Sequence, residues 1–418
     1  MLTLRHPHRQ TNSNQDITLK THNTPTVKGL LIGGSGFIAL HWAKAALSSL
    51  FPRISMNHCV PGRPENIEKN AAIAAKLGFS TCYTDINEAI KYFDSVFPLA
   101  IIATPNDCHE RDAIALMENR VNVAIDKPLA HTVESALKIA QAARRTGVKN
   151  AILPTYCGYP AILEVRKRLH LSGKAGTIRG GSFNYYQGWL RKKYAEMTPE
   201  EGKDQALWRK IEEKSGAGGA LGDILSHLLF QLYFTTGLPI VAVKHANRRF
   251  VVEGRTMVVD GRTHKTTDDD TSVICVLENG AEINCHAVQY ANDHRNDNSF
   301  ELWTTDETLK WDMASHPEIL KINNQLLAAE AFSHPWLKHT NTLPSFHGEG
   351  WHDAGSRILQ ALAWEITNTR PEGVEQFPLD TLVGLNVNKV IDAVVCSAEN
   401  DGQRVETGWI NSWDDLPA

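Results

Sequence analysis

The stretch VKGLLIGGSGFIALHWAKAALSSL, residues 27–50, decides the fold. VKGLLIG is a short apolar run and reads as a strand; GFIALHWAKAALSSL reads as a helix. Between them Gly34, Gly36 and Ala39 match GxGxxA. Such a turn, after a strand and opening a helix, is where a dinucleotide's pyrophosphate sits. Gly34 permits the tight turn and Gly36 lets backbone amides approach the phosphates. The helix N-terminus, with Phe37 and Ile38, favours their charge.

Downstream the same alternation repeats. RISMNHCV, PLAIIAT and VNVAID read as strands. PENIEKNAAIAAKLG, CHERDAIALMENR and TVESALKIAQAARRTG read as helices, the first closed by Gly78 and the last by Gly147. A short strand and helix lie in TCYTDINEAIKYF. PLAIIAT is continuously apolar, as a strand covered on both faces should be. Strands alternating with helices of this length predict a doubly wound parallel sheet, a Rossmann domain over residues 27–150. Residues 1–26 are polar and aperiodic and read as a disordered tail. Their Arg, Ser, Thr and Asn content is also compatible with an organelle transit peptide; the apolar core of a secretory signal is missing.

After residue 150 the rhythm changes. Helices are expected at 159–171, 217–236, 350–369 and 381–398, with long β-like segments between. Asn279-Gly280 in ENGA marks a hairpin, read as a tight turn with positive φ angles. Residues 151–418 therefore predict an α+β domain with a large, mostly antiparallel open sheet. RTHKTTDDD, residues 262–270, reads as a solvated loop without function.

With 418 residues, 43 Lys and Arg, 47 Asp and Glu and a formal charge of −4, the chain lacks the basic excess of a nucleic-acid binder. No apolar run reaches a membrane span. Seven cysteines, an odd number without a CxxC pair, suit a reduced cytoplasmic protein, and no cluster has metal-site spacing.

The strand ends name the chemistry. In a doubly wound sheet ligands lie beyond the carboxyl ends of the strands. Thr104-Pro105-Asn106 and Asp126-Lys127-Pro128 occupy two such ends, with His109 close behind the first. Lys127 then aims a cation where nicotinamide and substrate meet, suited to lowering a hydroxyl pKa. The second strand ends HCVPGRPE, without the acid that holds a ribose 2′-hydroxyl in NAD sites, and Arg63 favours the 2′-phosphate of NADP. Asp223 and His227, four apart in GGALGDILSHLLFQLYFTTG, share one helix face amid leucines. A buried histidine there suits proton removal, with Asp223 orienting the imidazole or contacting another substrate hydroxyl.

Together GGSGFIA, IIATPNDCH, DKPLA and GGALGDILSH resemble the Gfo/Idh/MocA oxidoreductase family, across about residues 28 to 400. The branch with GYP, QGWL and WR is most similar; these are Gly158-Tyr159-Pro160, Gln187-Gly188-Trp189-Leu190 and Trp208-Arg209 here. A late motif reads His347-Gly348-Glu349-Gly350-Trp351, with Gly348 in place of proline. The resemblance implies reversible NAD(P)-dependent oxidation of a sugar or polyol hydroxyl, with Lys127, Asp223 and His227 as the catalytic group. It also implies a homo-oligomer, dimer or tetramer, built through the open sheet. Tyr156, Gln187, Trp189, Trp208, Arg209 and His347 are the candidate sugar contacts, aromatic faces suiting C–H surfaces and polar tips the hydroxyls. Phe230 stands where many members carry an Asp. Two rival readings remain. One is a redox-neutral enzyme with bound cofactor working through a keto-sugar; the other is a non-catalytic NAD(P)-binding sensor.

Overall fold

The computed structural model describes residues 25–33, 36–49, 52–62, 67–76, 78–93, 95–96, 98–328, 331–340 and 350–417. The expected tail, residues 1–24 of it, lies outside them, and Thr26 already begins the first strand. Strands β1 (Thr26–Ile32), β2 (Arg53–Val60), β3 (Thr81–Cys82), β4 (Pro98–Ile102), β5 (Asn122–Asp126) and β6 (Asn150–Leu153) form one parallel sheet, ordered β3-β2-β1-β4-β5-β6. The order reverses between β1 and β4, which opens the ligand crevice at their carboxyl ends. Leu30, Leu31, Leu99, Ile101, Val123 and Ile125 are wholly buried, each contributing about 1.5–3 kcal/mol of hydrophobic stabilisation. Helices α1 (Phe37–Leu47), α2 (Ile67–Lys76), α3 (Ile86–Tyr92), α4 (His109–Glu118) and α5 (Val133–Thr146) connect the strands. Thr132 caps α5 by accepting from Ser135 N, and Gly147 ends it in the left-handed region.

The expected boundary at 150 falls inside this sheet, because β6 runs to Leu153. Past it lie α6 (Pro160–Arg166), β7 (Ile178–Tyr186), α7 (Lys203–Lys210), α8 (Glu212–Ser215), a π-helical turn (Ala220–Leu225) and α9 (Ser226–Thr236). Strands β8 (Ile240–Arg249), β9 (Thr256–Val259), β10 (Arg262–Lys265), β11 (Asp270–Leu277), β12 (Glu282–Val288), β13 (Asp297–Thr304), β14 (Thr308–Asp312), β15 (Ile319–Ile322) and β16 (Gln325–Ala328) follow. Helices α10 (Trp351–Thr367) and α11 (Thr381–Glu399) and strand β17 (Val405–Glu406) complete the fold. The second sheet has nine strands in the order β16-β15-β14-β13-β7-β12-β11-β8-β17. Among the described residues its one parallel pair is β7 with β12.

Two local expectations need correction. At ENGA only Gly280 takes a positive φ, +83°. Gly280 N donates to Leu277 O and Leu277 N to Ala281 O, giving a three-residue loop whose left-handed glycine makes a bulge. In RTHKTTDDD, only β10 is surface-facing; Thr267, Asp268, Asp269 and Asp270 are buried beneath α7 and the π-helical turn.

The last two helices return to the first domain. Helix α10 packs on α1, while α11 packs on both α5 and β8. Leu379 O accepts from Ile152 N, and Asn150 Oδ1 accepts from Thr381 N. Helix α11 is long and apolar enough to cross a membrane, yet most of it is buried in these contacts.

Candidate active site

The crevice above the first sheet continues into a single cavity of about 1360 Å³ that reaches the second sheet. Its dinucleotide end starts at the β1–α1 turn. Gly33 has φ +86°, and a Cβ there would lie 2.8 Å from Ala103 O. Gly34, given the role of tight turn from sequence, lies outside the described residues; Gly33 carries the left-handed conformation. Gly36 precedes α1, whose first turn holds no acid and, among the described residues, receives no side-chain cap. The amides of that first turn and the positive helix end fit a pyrophosphate. Val60, Gly62, Thr84, Asp85 and Asn87 line the cavity beyond the end of β2. Strand β2 ends in Val60, followed by Pro61 and Gly62, so no acid stands at its tip; Arg63 is outside the described residues.

Phe37, Ile38, Thr104, Pro105, Asn106, Asp126 and Lys127, the candidate cofactor contacts, all line the cavity. His109 does not. It is wholly buried beneath the loop, its ring nitrogens 2.9 Å from Thr104 O and 3.1 Å from Leu129 O. It shapes the loop from below. Asn106 Nδ2 donates to Ser215 O at 3.2 Å, joining the loop to the second domain. Asp126 Oδ1 accepts from the buried Trp42 Nε1 at 3.0 Å. Burial raises the pKa of Asp126, with the charge of Lys127 opposing.

Lys127, Asp223 and His227 meet on one wall. Lys127 Nζ donates to Asp223 Oδ1 at 3.1 Å and to Asp223 O at 2.5 Å. Asp223 Oδ2 accepts from Gln289 Nε2 at 3.2 Å and faces Arg209 Nε at 3.6 Å. Burial works against the charge on Asp223, but Lys127 and then Arg209 outweigh it and hold the pKa below the usual carboxylate value. These partners correct one expectation: Asp223 does not orient the imidazole. Asp223 sits in the π-helical turn and His227 in α9, so their four-residue spacing no longer stacks side chain on side chain. His227 Nδ1 is buried without a hydrogen-bond partner among the described residues, and Tyr156 packs edge-on against the ring at 4.7 Å. Burial, then the charge of Lys127, pushes the His227 pKa well below its ordinary value. The ring is therefore neutral at physiological pH.

A polar chain adjoins His227. Trp189 Nε1 donates to Gln187 Oε1 at 3.1 Å. Gln187 Nε2 donates to Asn296 Oδ1 at 2.6 Å and to Tyr185 Oη at 3.3 Å. Tyr185 Oη in turn donates to Asn296 Oδ1 at 3.1 Å and lies 2.5 Å from Tyr156 Oη. Burial pushes the Tyr156 hydroxyl up to about 12, so it stays protonated. Both ends of the Gln187 amide are engaged, which makes it an organiser of the wall. Arg209 lies 4.3 Å from the Trp208 ring centroid and 5.8 Å from that of Trp189. His347 lies outside the described residues. Phe230 is wholly buried away from the cavity.

Sequence reasoning missed Trp351, Asn296, Arg295 and Gln289. Trp351 closes the late motif and lines the cavity; its indole stacks on Phe37 at 5.7 Å and on His41 at 3.8 Å. Burial, then His352, lowers the His41 pKa to about 3, so a neutral ring joins α1 to α10. The aromatic of the motif was a usable signal for Trp351. Gln289, Arg295 and Asn296 carry no local pattern.

The family comparisons agree with this geometry. Residues 30–152 match the model described as an oxidoreductase family with an NAD-binding Rossmann fold, and residues 162–310 match the GFO/IDH/MocA C-terminal domain. The chain is a Gfo/Idh/MocA oxidoreductase. It is 25% identical over 307 residues to levoglucosan dehydrogenase of Pseudarthrobacter phenanthrenivorans, covering 70% of this chain and 74% of that one. It is 31% identical over 124 residues to scyllo-inositol 2-dehydrogenase (NADP+) of Bacillus subtilis, covering 29% and 35%. A solved levoglucosan dehydrogenase, in complex with NADH and levoglucosan, superposes with a TM-score of 0.76 at 22% identity. That superposition covers 92% of this chain and 100% of the other, and shows the shared fold.

Proposed function

We propose that this oxidoreductase moves a hydride between a nicotinamide dinucleotide, NADP(H) in preference to NAD(H), and a hydroxyl of a sugar, polyol or derivative. One observation carries the reading. Lys127 from the first sheet meets Asp223 and His227 from the second domain on the cavity that begins at Gly33 and Gly36. The named relatives, acting on levoglucosan and scyllo-inositol, support a carbohydrate-like alcohol. The acid-free tip of β2, with Arg63 three residues beyond Val60, supports NADP.

The amides around Gly33 and Gly36 would hold the pyrophosphate, and the loop at Thr104, Pro105 and Asn106 the adjoining ribose. When bound, the dinucleotide supplies the hydride acceptor. The side chains do the rest. Lys127 donates to the reacting hydroxyl oxygen, and its charge lowers that hydroxyl's pKa. Neutral His227 takes the proton. Asp223 holds Lys127 in place, and the fixed charges need no rearrangement during reaction. Tyr156, Trp189, Trp208 and Arg209 grip the sugar. A cytoplasmic location is supported by seven free thiols. A homo-oligomer built on the open sheet is supported by the exposed Trp303 and Leu326.

The test is a fluorescence titration of cofactor-stripped protein with NADPH and NADH, then a screen of sugars and polyols including levoglucosan and scyllo-inositol. NADPH should bind about tenfold tighter, the scale of one charge-assisted hydrogen bond. Binding of neither dinucleotide would sink the proposal.

A further inference from the structure

A buried segment runs beneath the active site without lining the cavity. Residues 266–271, leading into β11, are all buried, and Asp268 and Thr271 are wholly so. Three parts of the site rest on it. Thr267 Oγ1 donates to Arg209 O at 3.0 Å, at the end of α7. Asp269 O accepts from Gln289 N at 2.9 Å, beneath the side chain that reaches Asp223. Asp268 takes the π-helical turn itself: its carbonyl accepts from Ala220 N at 2.9 Å, and its Oδ2 from Leu221 N at 3.0 Å.

The approach is close. Gly219 has φ +68°, and a Cβ on it would stand 2.1 Å from Asp268 O. The second glycine of GGALGD is therefore required by contact with this segment. The carboxylate is itself fixed: Arg248 Nη2 donates to Oδ1 at 3.0 Å and Thr271 Oγ1 to Oδ2 at 2.5 Å. A buried charge satisfied on both oxygens is a rigid anchor.

We propose that Asp268 is a positioning residue: it anchors the turn that carries Asp223 and so holds that carboxylate on Lys127. The inference rests on the reading of Asp223 as part of the catalytic group. Two substitutions separate positioning from bulk stability. Asp268→Asn and Asp268→Ala both leave Arg248 without its charge partner, so both lower Tm by similar amounts. Only Asn keeps an oxygen for Leu221 N. D268A should lose about 100-fold in kcat, the scale of a 1 Å misplacement, while D268N stays within about fivefold. NADPH affinity should change less than about twofold in either, since the dinucleotide end shares no partner with Asp268. In D268A the acid limb of kcat/KM should also move to higher pH, because Asp223 loses the nearby charge of Lys127.

A D268A enzyme with unchanged kcat, or one whose loss D268N shares in full, overturns the proposal. If D268A does not fold, Thr271→Val takes its place. It removes a donor to the same oxygen, keeps the Arg248 pair, and should lower kcat about threefold; no change overturns the proposal. The crystal structure of the NADPH-bound D268A or T271V variant needs no substrate. The Lys127 Nζ–Asp223 Oδ1 distance of 3.1 Å should open, beyond about 4 Å in D268A. An unchanged distance overturns it. Asp223→Asn run in parallel separates the two failures. An active D223N removes the catalytic reading, whereas an inactive D223N beside a normal D268A removes only the positioning role.

Discussion

The dinucleotide wall and the substrate wall of the cavity are held by different bonds. On the first, backbone does the work: Gly33 and Gly36 shape the turn, the amides of the first turn open α1, and the Thr104 hydroxyl is engaged by Asp112 at 3.0 Å. On the second, side chains hold side chains, from Trp189 through Gln187 and Tyr185 to Tyr156, and from Gln289 and Arg209 to Asp223. A backbone site tolerates side-chain change as long as its turns survive. A side-chain network loses geometry with each member, since buried polar partners are left unsatisfied.

The largest expected effect falls where the walls meet. Lys127→Met should lower turnover by about 10³-fold and leave NADPH binding unchanged, read by steady-state rates and fluorescence titration. An active K127M would break the comparison at its joint. His227→Asn should cost about 10²-fold in kcat. The wild type should show a matching pH signature. The His227 pKa is depressed, so the neutral, proton-accepting ring persists as pH falls through 6.5, its ordinary value. The rate should stay level from pH 8 to below that value; a decline centred near it would show an unshifted histidine.

Gln187→Ala should raise KM for the alcohol about tenfold by freeing Trp189 and Tyr185, about the worth of one hydrogen bond in a network. A loss confined to kcat would mean that Gln187 touches the reacting oxygen instead. The smallest effect belongs to the dinucleotide wall. Phe37→Ala, at a residue 61% exposed, should change NADPH affinity by less than about threefold. A larger loss would show that the aromatic contact with Trp351 holds the cofactor, and that the walls differ less than their bonds imply.

Those walls were unequally legible. Strand β2 was read to its ends because the buried Ile54, Met56, Cys59 and Val60 are bounded by Pro52 and by Pro61-Gly62, and both signals are local. Lys127 stood out because proline follows it at a strand end. Asp223 and His227 were found, but their relation was misread, since a π-helical turn changes the spacing that an α-helix would impose. The Asp268 segment was taken for solvated loop because three acids in a row look exposed. Their burial depends on Arg248, Val252 N and Leu221 N, supplied by distant elements.

By itself the sequence determined the doubly wound sheet, the glycine-rich turn after β1 and the choice of Lys127, Asp223 and His227 as candidates, which the fold brings onto one cavity. Periodicity, glycine conformation and strand-end placement act over a few residues and survive in a linear text. Tertiary structure alone decided which carboxylate oxygen meets which cation. It also decided that Asp223 serves Lys127 and not His227, that Gln289 and Asn296 belong to the site, and that α10 and α11 return to brace the first domain. Those outcomes rest mostly on contacts between distant residues, from 66 positions apart for Gln289 with Asp223 to 311 for His41 with His352, and no local pattern encodes the distance between such partners.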